Sequence, residues 1–311
     1  MQTQLDQLWW RKHRPKSLDD YVFQNEAQRL AMENLVKEKS IPHLLLAGMQ
    51  GSGKTALAEI LIESLGLDPI DVLTINASDE NNVDMVRDKI KSFVTTYAMG
   101  PFKVIFLDEA DYLTQNGQAI LRVMMAEYAD VARFIIACNH ENKILPAIRS
   151  RCQRYHFKAS NVNDVTELVV QILLKEKVKF DLDLVDKYVS VGYPDIRQIL
   201  NLLQQHTVDR VLIDPTDTQN GSGDYKFQLI DLLDTDGWKA MREVACANVL
   251  PDEWEDIYRF LYENLHKSPK FAKKDKWDAG IIQIAEFLDR HGRSSDPEIN
   301  AAALFIELEH I

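Results

Sequence analysis

The segment GMQGSGKT, residues 48–55, places three glycines ahead of a lysine and a threonine. It satisfies the pattern GxxxxGK[ST], in which a glycine-rich turn lets backbone N–H groups surround phosphate oxygens at the start of a helix. The Lys54 ammonium is expected to reach the β- and γ-phosphates, and the Thr55 hydroxyl to ligate Mg²⁺. The predicted nucleotide-binding residues here are Gly48, Gly51, Ser52, Gly53, Lys54, Thr55 and Ala56. The alternative is a glycine-rich turn that binds nothing.

A second group of polar residues follows two apolar runs further along the chain. The run VIFLDEAD, residues 104–111, ends in Asp108 and Glu109, and the run RFIIACN ends in Asn139. ATP hydrolysis needs a metal and a positioned water. Asp108 is therefore expected to hold Mg²⁺, Glu109 to orient or deprotonate the water, and Asn139 to contact the γ-phosphate or the water. An acidic turn and a simple turn-forming Asn are the alternatives.

The elements that must position these residues form an alternating pattern of short apolar runs and helical segments. The predicted strands are HLLLAG (43–48), VLTIN (72–76), KVIFLD (103–108), RFIIACN (133–139) and RYHF (154–157). Between them, residues 55–65, 83–97 and 118–128 have apolar side chains at three- and four-residue spacing. This alternation predicts an α/β P-loop NTPase domain with a parallel sheet.

Beyond Lys158 we expect no further strands. The residue pattern predicts helices on both sides of a polar stretch, IDPTDTQNGSGDYK (213–226). We therefore predict an α/β domain over residues 1–158, a small helical domain over 159–208, a linker over 209–226 and an all-helical domain over 227–311. In the last domain, segments 227–247, 252–266, 278–290 and 297–309 are predicted helices.

Composition limits the class of protein. The chain has 311 residues, is 46% hydrophobic and carries a net charge of −12. This charge argues against DNA binding over the whole surface, so any nucleic-acid contact must be local. The three widely spaced cysteines form no CxxC pair, which argues against a disulfide framework or zinc site. The absence of a secretion-like N-terminus or a long apolar run predicts a cytoplasmic protein without a membrane segment.

Several longer segments carry a resemblance to a known family. They are WRKHRPKSLDDYVFQNE (10–26), NASDENNVDMVRDKIKSF (76–93), LDEADYLTQNGQAILRVMMAEY (107–128), IRSRCQRYHF (148–157) and GYPDIRQILN (192–201). These segments resemble the AAA+ sliding-clamp loader family: the small subunits of replication factor C and, most closely, the large subunit of T-even-type phage clamp loaders. The resemblance implies that the two helical domains are a lid and an oligomerisation collar. A phage origin, which it favours, would place the chain in the host-cell cytoplasm.

The resemblance also implies roles for arginines that the pattern alone does not single out. Arg151, in the SRC triplet, matches the residue that enters a neighbouring subunit's ATP site as an arginine finger. Arg197 matches an arginine of the lid that reaches nucleotide in its own subunit. Arg14, Val22 and Phe23 match the segment around the adenine and ribose. The alternatives are surface or capping arginines, and core positions for Val22 and Phe23.

DNA contacts are implied at the start of the helix that follows the second strand. Asn81 and Asn82 match a position that lies near both DNA and the catalytic carboxylate in the family. The hypothesis that follows is that Asn82 couples DNA binding to the release of Glu109. Arg87 and Arg122 are expected to track a phosphate backbone without reading bases. A helix N-cap for the asparagines and solvated helix faces for the arginines are the alternatives.

A clamp-binding role is implied for the stretch FVTTYAMGPF, residues 93–102. Apolar side chains at this place in the family insert into a pocket on the clamp, and aromatic and Met side chains are suitable anchors. The candidates are Phe93, Tyr97, Met99 and Phe102, some of which must be core.

The function expected from the resemblance is an ATPase subunit of a hetero-pentameric clamp loader. It would use ATP and Mg²⁺, with other loader subunits, the sliding clamp and primer–template DNA as partners. Two alternatives stay open: another AAA+ DNA motor, such as a Holliday-junction helicase or translocase, and a non-hydrolysing scaffold subunit of such a ring.

Overall fold

A computed structural model describes residues 8–79, 83–214, 225–234, 237–249 and 253–311. They form two compact units: the described residues through Leu168 together with Pro194–Leu200, and Val169–Tyr193 together with the described residues from Asn201 onward. No helix among these residues is long and apolar enough to cross a membrane.

The first unit is built on a five-stranded, all-parallel sheet in the order β2-β3-β4-β1-β5. Its strands are β1 Leu44–Gly48, β2 Val72–Asn76, β3 Lys103–Asp108, β4 Ala132–Cys138 and β5 Gln153–Phe157. All five predicted strands are thus confirmed to within one residue. Because the strands run in one direction, the residues that follow their carboxyl ends share one edge of the sheet.

Helices cover both faces of this sheet. They are α1 Trp9–Lys12, α2 Glu26–Glu38, α3 Lys54–Ser64, α4 Val83–Thr95, α5 Gln115–Glu127, α6 Pro146–Arg149, and the start of α7 Val162–Lys175. Strand side chains alternate between the two faces: Leu45 and Ala47 of β1 join a core with α4 and α5, whereas Leu44 and Leu46 join a core with α2 and α3. The unit is therefore a three-layer sandwich, as the apolar runs predicted.

The second unit is mostly helical. Its elements are α8 Leu182–Gly192, α9 Ile196–Gln205, α10 Tyr225–Asp234, α11 Trp238–Asn248, α12 Trp254–Asn264, α13 Lys274–His291 and α14 Pro297–His310, with α9 beginning in the first unit. The Asn300 amide, 8% exposed, donates to the Tyr258 hydroxyl at 2.7 Å and to the Phe287 carbonyl at 2.8 Å. These bonds satisfy a polar group inside the core that joins α12, α13 and α14.

Two expectations need correction here. Strands do not stop at Lys158, because β6 Thr207–Val208 and β7 Val211–Leu212 form a short antiparallel hairpin. Two-residue strands produce no periodic signal, so the sequence pattern missed them. The predicted helix 227–247 is two helices, α10 and α11, separated at Gly237, whose φ of 133° is accessible to glycine. The four-domain division stays a prediction, and much of its linker lies outside the described residues.

Candidate nucleotide site

The glycine turn joins β1 to α3 at the carboxyl edge of the sheet. Gly51 and Gly53 have φ values of 74° and 85°, a region that other residues rarely adopt. An ideal Cβ on Gly51 would lie 2.3 Å from Asp195 Oδ1, and one on Gly53 would lie 2.8 Å from the Tyr21 hydroxyl. Both glycines are therefore required by backbone conformation and by close neighbours. Lys54 then begins α3, so the turn ends at a helix N-terminus, which favours an anion.

The remaining predicted residues of the motif pack against the sheet and its core or bond within the turn. Gly48 ends β1 beside β5, where an ideal Cβ would lie 2.1 Å from the Phe157 carbonyl oxygen. The Ser52 hydroxyl donates to the Met49 carbonyl at 2.7 Å. Ala56 is half-buried against the core on the α3 side. The turn is thus closely packed against the sheet on one side and self-bonded on the other.

Lys54 is buried, with only 7% of its surface exposed. Its ammonium donates to the carbonyls of Gly48 at 2.8 Å and Met49 at 2.7 Å. Burial lowers the Lys54 pKa, while the carboxylates of Asp108 and Glu109 act in the opposite direction. A buried ammonium whose partners among the described residues are backbone carbonyls is suited to exchange them for the oxygens of an anion.

Asp108 and Thr55 meet across this edge. The Thr55 hydroxyl donates to Asp108 Oδ2 at 2.9 Å, and Asp108 Oδ1 accepts from the Glu109 N–H at 3.0 Å. Burial raises the Asp108 pKa, and these two hydrogen bonds oppose the rise. A carboxylate and a hydroxyl oxygen in contact are the donor types that Mg²⁺ takes in proteins, so this pair fits the ion that the motif implies.

Glu109 has an unusual backbone. Its φ of 53° and ψ of 38° lie in the left-handed region, which is uncommon for a residue with a side chain. Such strain persists where the surroundings fix the residue. It changes the direction of the chain directly after β3, beside Asp108.

Asn139 follows β4 at the same edge, and a third carboxylate fixes its backbone. Asp111 accepts from the Asn139 N–H at 3.1 Å and from the His140 N–H at 3.3 Å. The carboxylates at the end of β3 therefore have different partners. Asp108 accepts from the Thr55 hydroxyl, whereas Asp111 accepts from the backbone N–H groups that follow β4. Asp111 was not predicted as a site residue, although it lies within the acidic segment that the sequence singled out.

An aromatic pair borders the turn. The Tyr21 hydroxyl donates to the Ser52 carbonyl at 3.3 Å, and burial raises the Tyr21 pKa. The Phe23 ring lies edge-on to the Tyr21 ring with centroids 4.8 Å apart. Phe23 also packs on the core, and Val22 is half-buried. The segment predicted to surround the adenine and ribose therefore reaches the turn, but through Tyr21, a residue that the sequence pattern does not single out.

Two predicted arginines lie on the same unit, each with a defined partner. Arg14 forms a 2.7 Å ion pair with Glu59 of α3. The Arg197 guanidinium lies 4.7 Å from the centroid of the Trp10 ring, a cation–π distance. Asp195 caps α9 by accepting from the Arg197 N–H at 2.8 Å, and it is this carboxylate that lies against Gly51. The start of α9 thus lies beside the glycine turn.

Arg151 is exposed, and its guanidinium donates to the Ala147 carbonyl at 2.6 Å on α6. This exposure leaves the guanidinium accessible to another molecule. Its predicted role in a neighbouring subunit stays a prediction.

The residues predicted to contact DNA are only partly described. Asn81 and Asn82 lie outside the described residues. Arg87 on α4 is exposed and forms a 3.3 Å ion pair with Asp88, and Arg122 on the adjacent helix α5 is also exposed.

The four predicted clamp contacts separate by burial. Tyr97 is 87% exposed and Met99 is 69% exposed, whereas Phe102 is 6% exposed and packs in the core. Phe93 is half-buried against the other core. Phe102 is therefore a core residue in this structure, which corrects its assignment as a surface anchor. Tyr97 and Met99 are the exposed members of the group.

Comparison with known proteins shows the family of the chain. The profile of the ATPase family associated with various cellular activities (AAA) matches residues 44–159, which contain the glycine turn and the acidic strand end. The replication factor C small subunits of Methanocella arvoryzae and Sulfolobus acidocaldarius are 40% and 42% identical over 203 and 202 residues, respectively. These matches cover 64% and 63% of this chain but only 63% and 62% of the relatives' own lengths.

Other comparisons cover more of the chain. The Methanococcus vannielii replication factor C small subunit is 33% identical over 259 residues, 82% of this chain and 79% of that protein. A solved structure of the Thermotoga maritima RuvB Holliday junction branch migration motor has a TM-score of 0.53 and 16% identity over 92% of this chain and 90% of its own. Another RuvB structure from the same organism has a TM-score of 0.56 and 18% identity over 80% of this chain and 90% of its own.

At 16–18% identity the RuvB structures are evidence for the fold alone, and this fold agrees with the parallel sheet and the helical region described above. The fold is therefore that of an AAA P-loop NTPase. Because a relative above 30% identity is covered over most of its length, the chain belongs to the replication factor C small subunit family.

Proposed function

We propose that this chain is the ATP-hydrolysing subunit of a hetero-pentameric sliding-clamp loader, which opens a ring-shaped clamp and loads it onto primer–template DNA. The proposal rests on one observation above all: the Thr55–Asp108 pair and the buried Lys54 ammonium lie together at one sheet edge of a replication factor C family member. The resemblance of the longer segments to clamp loaders supplies the partners, and the cytoplasm is the proposed location.

Nucleotide binding would begin at Lys54. Its ammonium is held by two carbonyls of the turn, so the β- and γ-phosphates can replace those partners without any further burial of the charge. The turn's N–H groups and the N-terminus of α3 add partial positive charge. Arg14, Val22, Phe23 and Tyr21 would border the base and sugar.

Hydrolysis would depend on the residues after β3 and β4. Thr55 and Asp108 would hold Mg²⁺, which neutralises charge on the phosphates. Glu109 would take the proton of the attacking water as general base, and its left-handed backbone turns the chain beside the site. Asn139, fixed through its N–H by Asp111, would orient the water or the γ-phosphate.

The site would be completed by Arg151 of the neighbouring subunit. Its exposure supports a role outside its own chain. An arginine finger contributes about 10³–10⁵ in rate in enzymes that depend on one. Arg197, stacked on Trp10 beside the turn, would sense nucleotide within its own subunit.

The proposed domain roles follow the same scheme. Residues 159–208 would act as the lid, 209–226 as the linker and 227–311 as the collar through which subunits assemble. The exposed Arg87 and Arg122, on adjacent helices, would track the DNA backbone. Asn81 and Asn82 would lie near the DNA, with Asn82 coupling DNA binding to Glu109. Tyr97 and Met99 would anchor the clamp.

The test is the ATPase rate of this chain with and without its partner subunits, the clamp and primed DNA. Joint stimulation by clamp and primed DNA is the expected result, with the Glu109→Gln variant as the inactive control. Stimulation by DNA alone, together with movement along DNA without a clamp, would instead indicate a translocase. ATP binding without turnover under all conditions would indicate a scaffold subunit.

A further inference from the structure

Two charged side chains are buried at the edge of the sheet opposite the nucleotide turn. Asp71, immediately before β2, is 0% exposed, and Lys103, the first residue of β3, is 1% exposed. The parallel pairing of Val72 with Val104 places these two residues side by side at the amino ends of their strands. Neither belongs to the nucleotide site, which lies at the carboxyl ends.

The Asp71 carboxylate is committed to the backbone of the segment 96–100, which connects α4 to β3. Its Oδ2 accepts from the Met99 N–H at 2.9 Å and from the Gly100 N–H at 2.7 Å. Its Oδ1 is buried and has no hydrogen-bond partner among the described residues. One carboxylate oxygen therefore fixes two consecutive peptide groups of the segment.

Lys103 holds the other end of the same segment. Its ammonium donates to the Phe93 carbonyl at 2.8 Å and to the Thr96 hydroxyl, and lies 4.5 Å from the Phe93 ring centroid. The Phe93 carbonyl belongs to the last turn of α4, where a cation is favourable. The segment is thus held at both ends by buried charges.

Burying these two side chains has a free-energy cost, because each charge loses its hydration and the hydrogen-bond partners given above are neutral groups. What the two charges hold in place is an exposed pair, Tyr97 and Met99, 87% and 69% exposed. We infer that Asp71 and Lys103 are positioning residues that preorganise Tyr97 and Met99 for insertion into an apolar pocket of the sliding clamp. This inference rests on the proposed function. Preorganisation raises affinity by removing the entropy cost of ordering the anchors upon binding.

The conformational part can be tested without the clamp. Amide hydrogen exchange of the full-length chain should show protected N–H groups at Met99 and Gly100, and Asp71→Ala should raise exchange there while leaving the β3 and β4 amides unchanged. Asp71→Asn, which retains an acceptor oxygen, should largely restore the protection. Unprotected amides at 99 and 100 in the wild type would overturn the inference, whatever the function of the chain.

The functional part is the affinity of the assembled loader for the sliding clamp of the same replication system. Asp71→Ala and Lys103→Met should each weaken clamp binding about tenfold, the loss expected when two anchors must be ordered on binding. ATP binding at the opposite edge should be unchanged in both variants. Asp71→Asn should bind the clamp more tightly than Asp71→Ala.

Two controls separate positioning from general damage. Met32→Ala empties a fully buried position on α2 and should lower Tm without changing clamp affinity or the exchange of the segment. Tyr97→Ala should weaken clamp binding without raising exchange at 99 and 100. If Asp71→Ala mobilises the segment but binds the clamp as tightly as wild type, the positioning role is wrong. If Tyr97→Ala and Met99→Ala also bind normally, the clamp anchor in the proposed function is wrong as well.

Discussion

Replacing Lys54 with Met should remove most of the stabilisation by nucleotide while leaving the nucleotide-free chain intact. Lys54 is 7% exposed and its ammonium is bonded to two carbonyls of the turn. Since burial lowers its pKa, the charge is held at a cost in the free chain. Removing it loses two hydrogen bonds but also removes that cost. We therefore expect the Tm of nucleotide-free Lys54→Met to stay close to that of the wild type.

The effect of ATP is much larger. At a concentration 100 times Kd, ligand binding stabilises a protein by about 2.7 kcal/mol, which for a unit of 150–250 residues raises Tm by roughly 5–11 °C. A single charge contact near 4 Å at an effective dielectric of about 20 is worth about 4 kcal/mol, so losing it weakens binding by roughly 10²–10³. At the same ATP concentration, now only about 0.1–1 times the Kd of the variant, the variant should gain less than about 0.5 kcal/mol, a Tm shift of at most about 2 °C.

The assay is differential scanning fluorimetry with and without ATP and Mg²⁺. Lys103→Met is the matched control, because it removes a second buried lysine, 1% exposed, at the opposite edge of the sheet. That variant should keep the full ATP-dependent shift, measured from its own nucleotide-free Tm. A wild-type shift in Lys54→Met, or a lost shift in Lys103→Met, would refute the assignment of the site.

Three further predictions follow from the same geometry. Glu109→Gln should keep the ATP-dependent Tm shift but lower steady-state ATP turnover by at least about 100-fold, and undiminished turnover would exclude Glu109 as the base. Gly51→Ala should abolish nucleotide binding in a titration, since an alanine is strained at a φ of 74° and its Cβ would lie 2.3 Å from Asp195 Oδ1. The double variant with Asp195→Ala should recover only part of the lost affinity, because it removes the clash with Asp195 but not the backbone strain. Burial lowers the His43 pKa, so His43 is protonated less readily in the folded chain than in the unfolded one. The stability contributed by the neutral His43 side chain should therefore be fully present above pH 6.5 and be lost as the pH drops below it, and the Tm of His43→Asn should depend less on pH.

The sheet and its carboxyl-edge motifs were predictable because each strand is a continuous apolar run and each polar residue directly follows one. GMQGSGKT and LDEAD lie far apart in sequence, yet parallel strands bring Thr55 and Asp108 to 2.9 Å. Helix ends were less certain: α5 begins at Gln115, capped by the Thr114 side chain, three residues earlier than the apolar spacing indicated. Capping by a single side chain has no periodic signature.

The contacts made by isolated residues were not predictable. Tyr21 reaches Ser52, Asp195 lies on Gly51, and Trp10 stacks on Arg197 through tertiary packing between distant segments. A segment's spacing also does not tell which of its apolar residues face solvent, so Phe102 was grouped with Tyr97 although it is core. Residue type and periodicity predict which face of a helix or strand is buried, whereas the burial of a loop side chain depends on tertiary packing that has no periodic pattern.

The proposed function requires that one subunit bind ATP and that Arg151 of the next subunit complete its hydrolysis. The decisive measurement is the ATPase rate of assemblies that mix Arg151→Ala subunits with Lys54→Met subunits. Neither variant alone should turn over ATP, whereas the mixture should recover activity wherever an intact turn meets an intact Arg151. Wild-type hydrolysis by Arg151→Ala alone, or no recovery in a mixture shown to assemble, would contradict the account.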